Sequence, residues 1–131
     1  MKKNKKMNNL IIDAANEKIL FLIISKNKSY TNDYANSREN FDKIVILLFE
    51  FLKQNNMKIY DINNVFVNQG PGKFSSIRAS IAAAKGICVG NNLDLYGFNT
   101  NQVEGNNYSS IMRLFERGIL IKNLIKPHYL S

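Results

Sequence analysis

Residues 65–86 read VFVNQGPGKFSSIRASIAAAKG: an apolar run, a Gly-Pro-Gly turn and a run of small residues. A glycine turn at the start of a helix could cradle a phosphate, because its amides and the helix N-terminus attract anions. The nucleotide-binding P-loop needs Gly, four residues, then Gly-Lys-Ser/Thr. Here Lys73 directly follows the second glycine of Gly70-Pro71-Gly72, so the spacing fails. A nucleophile elbow would need G-x-S-x-G, which the stretch lacks. The turn therefore reads as a sharp strand-to-helix connection, with Pro71 fixing φ and the glycines allowing a tight or positive-φ path. Asp13 is the well-placed carboxylate, at the end of an apolar run. Two-metal nucleases need further acids beside it, but the strand-like run 65–68 leads into Asn68-Gln69, and Asp94 begins its run. A turn-forming role for Asp13 is the simpler reading. His128 has no companions of the H-E-x-x-H kind, and Cys88 sits in an apolar helix, as a small core residue would. Arg78 could pair with a partner's carboxylate or phosphate, or simply snorkel at the surface.

The elements that would position these residues follow from the hydrophobic pattern. NLIID (9–13), KILFLIIS (18–25) and KSYTNDYA (28–35) read as three strands joined by tight turns, an antiparallel meander. Ser37 offers an N-cap for a helix running to about Asn55. Phe41, Ile44, Val45, Leu48 and Leu52 follow helical spacing there. Ile46, Leu47, Phe49 and Phe51 are apolar as well, so one core-facing stripe does not account for them, and a helix apolar over most of its surface is buried on two sides. VFVN (65–68) reads as a buried strand, Phe74 to Val89 as a helix stopped by Gly90 and the Asn pair 91–92, and LDLYGF (93–98) as the fifth strand. The expected fold class is α/β: a mixed five-stranded sheet in βββαβαβ order, with a C-terminal amphipathic helix in 108–125 interrupted near Gly118. The expected division is a basic disordered tail (1–8), one lobe (9–100), a polar loop (101–107), and a helix with tail (108–131).

Bulk properties narrow the function classes. The chain has 131 residues, 45% of them hydrophobic and 21% charged, as in an ordinary single-domain globular protein. No uncharged apolar run approaches the length of a membrane span, and no secretory leader pattern follows the basic start. One cysteine excludes an internal disulfide and fits a reducing, cytoplasmic setting. Net charge is +8, and Lys2, Lys3, Lys5 and Lys6 supply half of it. The other cations are scattered without interleaved aromatics, which argues against autonomous nucleic-acid binding.

The βββαβαβ order is that of a ribonuclease-H-like half, the unit duplicated in actin-like ATPases. Local sequences sharpen this. LIIDAANE resembles the opening IDTATE of the TsaB (YeaZ) family, and SRENFDKIVILLFEFL is similar to its first helix, with Asn40 where the family usually has His. GPGKFSSIRASIAAAKG resembles GPGSFTGLRIGxxxAKG, matching at Gly70, Pro71, Gly72, Phe74, Arg78, Lys85 and Gly86. KPHYLS resembles the closing P-x-Y-L-R through Pro127, Tyr129 and Leu130. The resemblance implies a shortened member in which the loop 101–107 replaces the second lobe.

The resemblance further implies a non-catalytic partner, without cofactor, of a TsaD-type threonylcarbamoyl transferase. The two would pair through first-lobe helices and, with a TsaE-type ATPase, modify tRNA that this subunit meets only through the complex. The short side chains of Ala79, Ser80, Ala82, Ala83, Ala84 and Gly86 would let another backbone approach. Expected interface residues are Phe41, Ile44, Leu47, Leu48 and Phe51, with Ile77, Arg78, Ile81 and Lys85. Packing against the chain's own sheet is the alternative. A homodimer would use the same surface in the partner's absence. Two other readings stay open: a small ribonuclease-H-like metal-dependent nuclease acting through Asp13, and a relict homodimer without modification activity.

Overall fold

A computed structural model describes residues 7–105, 107–123 and 125–128. Three strands open the chain: β1 (Asn9–Asp13), β2 (Lys18–Ile24) and β3 (Ser29–Ala35). They pair antiparallel in sequence order, as the tight turns require. A short helix α1 (Arg38–Phe41) is capped by Ser37, whose hydroxyl oxygen accepts from the Asn40 N–H at 3.3 Å. The chain then breaks at Asp42–Lys43 before α2 (Ile44–Gln54), so the expected single helix is two pieces. β4 (Asn64–Asn68), α3 (Phe74–Asn91) and β5 (Asp94–Phe98) follow, and β4 lies parallel to both β1 and β5. α3 runs through Gly90 and ends at Asn92, which takes the left-handed conformation at φ 54°.

The expected βββαβαβ order is present, but the sheet has six strands, in the order β3-β2-β1-β4-β5-β6. The extra strand arises where a helix through residue 125 was expected. α4 (Ser109–Glu116) stops at Gly118 (φ 70°), where the Gly118 N–H donates to the Phe115 carbonyl and the Ile119 N–H to the Leu114 carbonyl. This closing pattern needs a left-handed residue, which glycine supplies without steric cost. The chain beyond it returns as β6 (Ile121–Lys122), antiparallel to β5.

The strands' alternation divides the apolar residues between two cores. Leu10, Ile12, Phe21, Ile23, Val65, Val67 and Leu95 face α1–α3 and pack on Ile44, Leu47, Leu48, Phe51, Ile77 and Ile81. Ile11, Phe66 and Phe98 face the other way, where α4 covers them with Ile111. Phe66 and Tyr96 stack at 5.3 Å, and Phe115 meets both edge-on at 5.0 and 4.9 Å. α4 thus gives the sheet its second layer over β1, β4 and β5. Among the described residues no helix is long and apolar enough to cross a membrane.

Candidate functional site

Two features could carry function: a buried polar cluster at the C-terminal ends of the parallel strands, and the outward face of α2 and α3.

The cluster centres on Asp13. Parallel α/β sheets place ligands at the carboxyl ends of their strands, and Asp13 and Asn68 end β1 and β4 there, with Thr100 just beyond β5. Asp13 is buried, and its carboxylate accepts three hydrogen bonds. Asn68 Nδ2 (3.0 Å) and the Ala15 N–H (3.1 Å) donate to Oδ1, and the Tyr108 hydroxyl donates to Oδ2 at 2.6 Å. Burial first, then the Asp13 charge and this bond, hold the Tyr108 phenol well above the usual tyrosine range. Asn68 Oδ1 in turn accepts from the Gly70 N–H at 2.7 Å, and the Thr100 hydroxyl donates to the Pro71 carbonyl at 2.6 Å. The Asx-type bond to Ala15 bears out a turn-forming role for Asp13. The side chains of Tyr108, Asn68 and Thr100 are additions that no local pattern signals, since the Asp13–Tyr108 bond spans 95 residues. Among the described residues no group of three or more His, Cys, Asp or Glu side chains could hold a metal ion. Asp13 and Tyr108 of this cluster, with Leu20, Leu22, Thr31 and Asp33 of β2 and β3, line a cavity of about 560 Å³.

The Gly-Pro-Gly turn is wedged between this cluster and the turn after β1. Gly70 takes φ 105°, and a side chain there would come within 2.7 Å of the His128 carbonyl oxygen. A side chain at Gly72 would collide with the Ala15 carbonyl. The Lys73 N–H donates to that carbonyl at 2.9 Å, and the Ser76 hydroxyl to the Ala14 carbonyl at 2.7 Å. The turn is thus committed to joining β4, α3 and the turn after β1. The C-terminal segment meets it: the His128 N–H donates to the Gln69 carbonyl at 2.7 Å, and Gln69 Nε2 donates to the Lys126 carbonyl at 3.0 Å. Two of the four stretches that carry the family resemblance, GPGKFSSIRASIAAAKG and KPHYLS, are therefore neighbours in space; Tyr129 and Leu130 of the latter lie outside the described residues. Burial pushes the Cys88 thiol up to about 11, with Asp94 adding to it, consistent with an inert core cysteine.

The helix face is sorted differently from the expectation. Ile44, Leu47, Leu48, Phe51, Ile77 and Ile81 are buried in the chain's own core, and Phe41 is half-buried against it. The physical reason is that the stripe of α2 that turns toward the sheet is Ile44, Leu47, Leu48, Phe51 and Leu52, so Val45, which the helical spacing groups with Ile44 and Leu48, falls outside it. The apolar residues left outside are Val45, Ile46 and Phe49, exposed by 39, 60 and 42%. Val45 and Ile46 line a groove of about 510 Å³ whose other wall is Ala79, Ala82 and Ala83 of α3, while Ser80 and Ala84 are buried in the core. Arg78 and Lys85 are exposed on α3. Arg78 stacks over the Phe74 ring at 5.2 Å. Gly86 and Gly90 have nothing within 4 Å of an added side chain. The chain's own packing therefore does not require either glycine, though each weakens the helix. Such a surface, apolar at its centre and open to close backbone approach, suits contact with another macromolecule.

Comparisons with known proteins agree with this picture. Residues 18–109 match the family model described as "TsaD: tRNA N6-adenosine threonylcarbamoyltransferase". The tRNA threonylcarbamoyladenosine biosynthesis protein TsaB of Buchnera aphidicola subsp. Baizongia pistaciae is 35% identical over 72 residues, 54% of this chain and 32% of the relative. The tRNA N6-adenosine threonylcarbamoyltransferase of Listeria monocytogenes serovar 1/2a is 31% identical over 74 residues, 56% of this chain and 21% of the relative. The chain thus aligns with a third or less of the length of these two. YeaZ from Pseudomonas aeruginosa superimposes with a TM-score of 0.68 at 12% identity, over 86% of this chain and 50% of that one, which shows the shared ribonuclease-H-like fold. With the family model covering well over half of its residues, this chain belongs to the TsaD family of threonylcarbamoyl-adenosine proteins, as a TsaB (YeaZ) member.

Proposed function

We propose that this chain serves threonylcarbamoyl-adenosine modification of tRNA as a non-catalytic subunit that holds a TsaD-type transferase through the α2–α3 face. The observation that carries the reading is Val45 and Ile46 lying exposed along an alanine-walled groove, with Phe49 exposed one turn on from Val45, on a helix whose other face is already buried. Exposed apolar residues gathered in one patch mark an interaction surface. The names of the relatives supply the pathway, and the likeness to both TsaB and TsaD proteins supports a TsaD-type partner. The non-catalytic assignment is supported by the Asp13 carboxylate, which three neutral donors of the chain already engage. In this reading tRNA and a TsaE-type ATPase are met in the assembled complex, and the lobe 9–100 carries the interface.

The test is co-purification with the TsaD-type transferase of the same genome. The native chain forms a complex at micromolar concentration, and the double variant Ile46→Asp, Phe49→Asp loses it while keeping its unfolding midpoint. No complex with the native chain, or undiminished binding by the double variant, sinks the proposal.

A further inference from the structure

The parallel strands β1, β4 and β5 begin at one end of the sheet, and the β2–β3 turn and the stretch between α2 and β4 meet there. Asn8 ties these two loops together. Its Oδ1 accepts from the Ser25 hydroxyl, and its Nδ2 donates to the Asp61 carbonyl at 2.8 Å. Lys26 and Lys28 stand on the first loop and Lys58 on the second, and all three are exposed. Lys53 and Arg117 close α2 and α4 at the same end, where the C-terminal carbonyls of a helix already favour a cation. The three loop lysines have no such role. None of these five cations forms a salt bridge among the described residues. The Asp61 carboxylate there accepts from the Lys58 N–H at 2.9 Å. Three of the four ion pairs among the described residues, Arg38–Asp42, Lys73–Glu17 and Arg113–Glu104, lie toward the other end. Cations scattered along the sequence are thus gathered by the fold. In sequence, Lys2, Lys3, Lys5 and Lys6 directly precede Met7, which shares a cavity of about 330 Å³ with Lys26.

We propose that this end of the lobe contacts the phosphate backbone of RNA, with Lys26, Lys28 and Lys58 on phosphates and Tyr60 offering its ring to an unpaired base. The inference rests on the tRNA-modification reading above for the kind of polyanion, and adds a direct contact made by this subunit within the assembly. Tyr60 is 76% exposed, two residues from Lys58. Stacking of a base on an aromatic ring needs no particular sequence. Asn27 and Asn56, exposed beside the lysines, add amide donors for phosphate or ribose oxygens. Each lysine that meets a phosphate releases a counterion, so the affinity depends steeply on salt. An anionic membrane is the other polyanion of a cell. Stable anchoring there takes an amphipathic helix or a lipid chain besides charge, whereas these lysines stand on loops. Three lysines bind weakly alone, and within an assembly the same contact is effectively intramolecular and adds to the affinity of the whole.

Fluorescence anisotropy of a labelled tRNA transcript, titrated with the chain in the absence of the transferase, tests this. At about 0.05 M NaCl the native chain binds with a Kd of about 10 μM, in the range of sequence-independent phosphate binding. Lys28→Gln with Lys58→Gln weakens binding about tenfold or more. It also makes the slope of log K against log salt shallower by about 0.7–0.9 for each contact removed. Lys18→Gln with Lys126→Gln removes the same charge from exposed positions at the other end and leaves affinity and slope unchanged. Tyr60→Ala weakens binding about fivefold or more and keeps the salt slope. All these side chains are exposed, so the variants keep their unfolding midpoints. No binding by the native chain up to about 100 μM overturns the proposal. Equal losses from the two lysine pairs overturn it as well, since they report net charge alone. A silent Tyr60→Ala overturns the stacking contact. Vesicles of phosphatidylserine and phosphatidylcholine that hold the native chain while the transcript does not would assign this end to a membrane and overturn the RNA contact. Co-purification decides the transferase complex separately, so either reading can fail while the other stands.

Discussion

Replacing Tyr108 with phenylalanine isolates one bond that ties the two layers of the sheet together. The hydroxyl donates to Asp13 Oδ2 at 2.6 Å, while the ring packs edge-on against Phe98 at 6.2 Å. Tyr108→Phe keeps the ring contact and removes the donor. Asp13 retains Asn68 and the Ala15 N–H but is left with one fewer donor in a buried place. Hydrogen bonds to charged groups contribute about 1.5–3 kcal/mol, so the expected loss is about 2 kcal/mol. With a urea m-value of about 2 kcal/mol/M, the unfolding midpoint falls by about 1 M. Asp13→Asn and the double variant complete a cycle, whose coupling of about 1.5 kcal/mol or more assigns the loss to the pair. The pH response provides a second readout. The folded chain holds the phenol's proton above its ordinary value of 10.0, so stability is whole below pH 10 and falls as pH rises past it. Tyr108→Phe removes that part of the alkaline fall. A loss below about 0.5 kcal/mol, the usual effect of a surface change, would refute the reasoning; so would strict additivity with Asp13→Asn.

Gly72→Ala forces a side chain into the Ala15 carbonyl and costs more than about 2 kcal/mol, whereas Gly86→Ala enters open space and stabilises α3 by about 1 kcal/mol in the same urea titration. Equal effects at the two sites would contradict the packing described for the motif turn. The Cys88 thiol, raised from 9.0 to about 11, contributes stability that is complete below pH 9 and declines toward pH 11. Comparing the pH slopes of the native chain and Cys88→Ala checks this, and identical slopes would count against it.

Strands with strong apolar runs were legible in the sequence. NLIID, KILFLII and VFVN are buried on one or both faces and leave little choice of element. The antiparallel meander followed from its short turns, and the βββαβαβ order from the alternation of strand and helix patterns. The segment after Gly118 was not legible, because ILIKNLI is too short for its period to separate a helix from a strand. It forms β6 because the Asn123 N–H finds the Leu95 carbonyl at 2.6 Å and the free edge of β5 accepts it. The helix-face residues show a different limit. Helical spacing finds the stripe that faces a core, and in α2 the core is the chain's own. The sequence did show too many apolar residues for one stripe. Of the four in surplus, Leu47 and Phe51 went inward and Ile46 and Phe49 outward, a division set by helix rotation over a sheet whose partner strands lie far away in sequence.

That division also explains why the candidate interface and the fold are separable. α2 buries Ile44, Leu47, Leu48, Phe51 and Leu52 without help from Val45, Ile46 or Phe49. α3 buries Ile77, Ile81, Ala84, Ile87 and Cys88 without help from Gly86 or Gly90. On the opposite side, α4 supplies the sheet's second layer and Tyr108 ties its start to Asp13. With α1–α3 packed on one face and α4 over β1, β4 and β5 on the other, the sheet does not depend on the α2–α3 groove for stability. The exposed apolar residues there lie outside both cores, and removing them leaves the folded state standing. Substitutions at Leu47 or Phe51 act on the core itself, so any loss of partner binding they cause reports unfolding. Ile46 and Phe49 are therefore the positions at which a binding defect can be read as a binding defect.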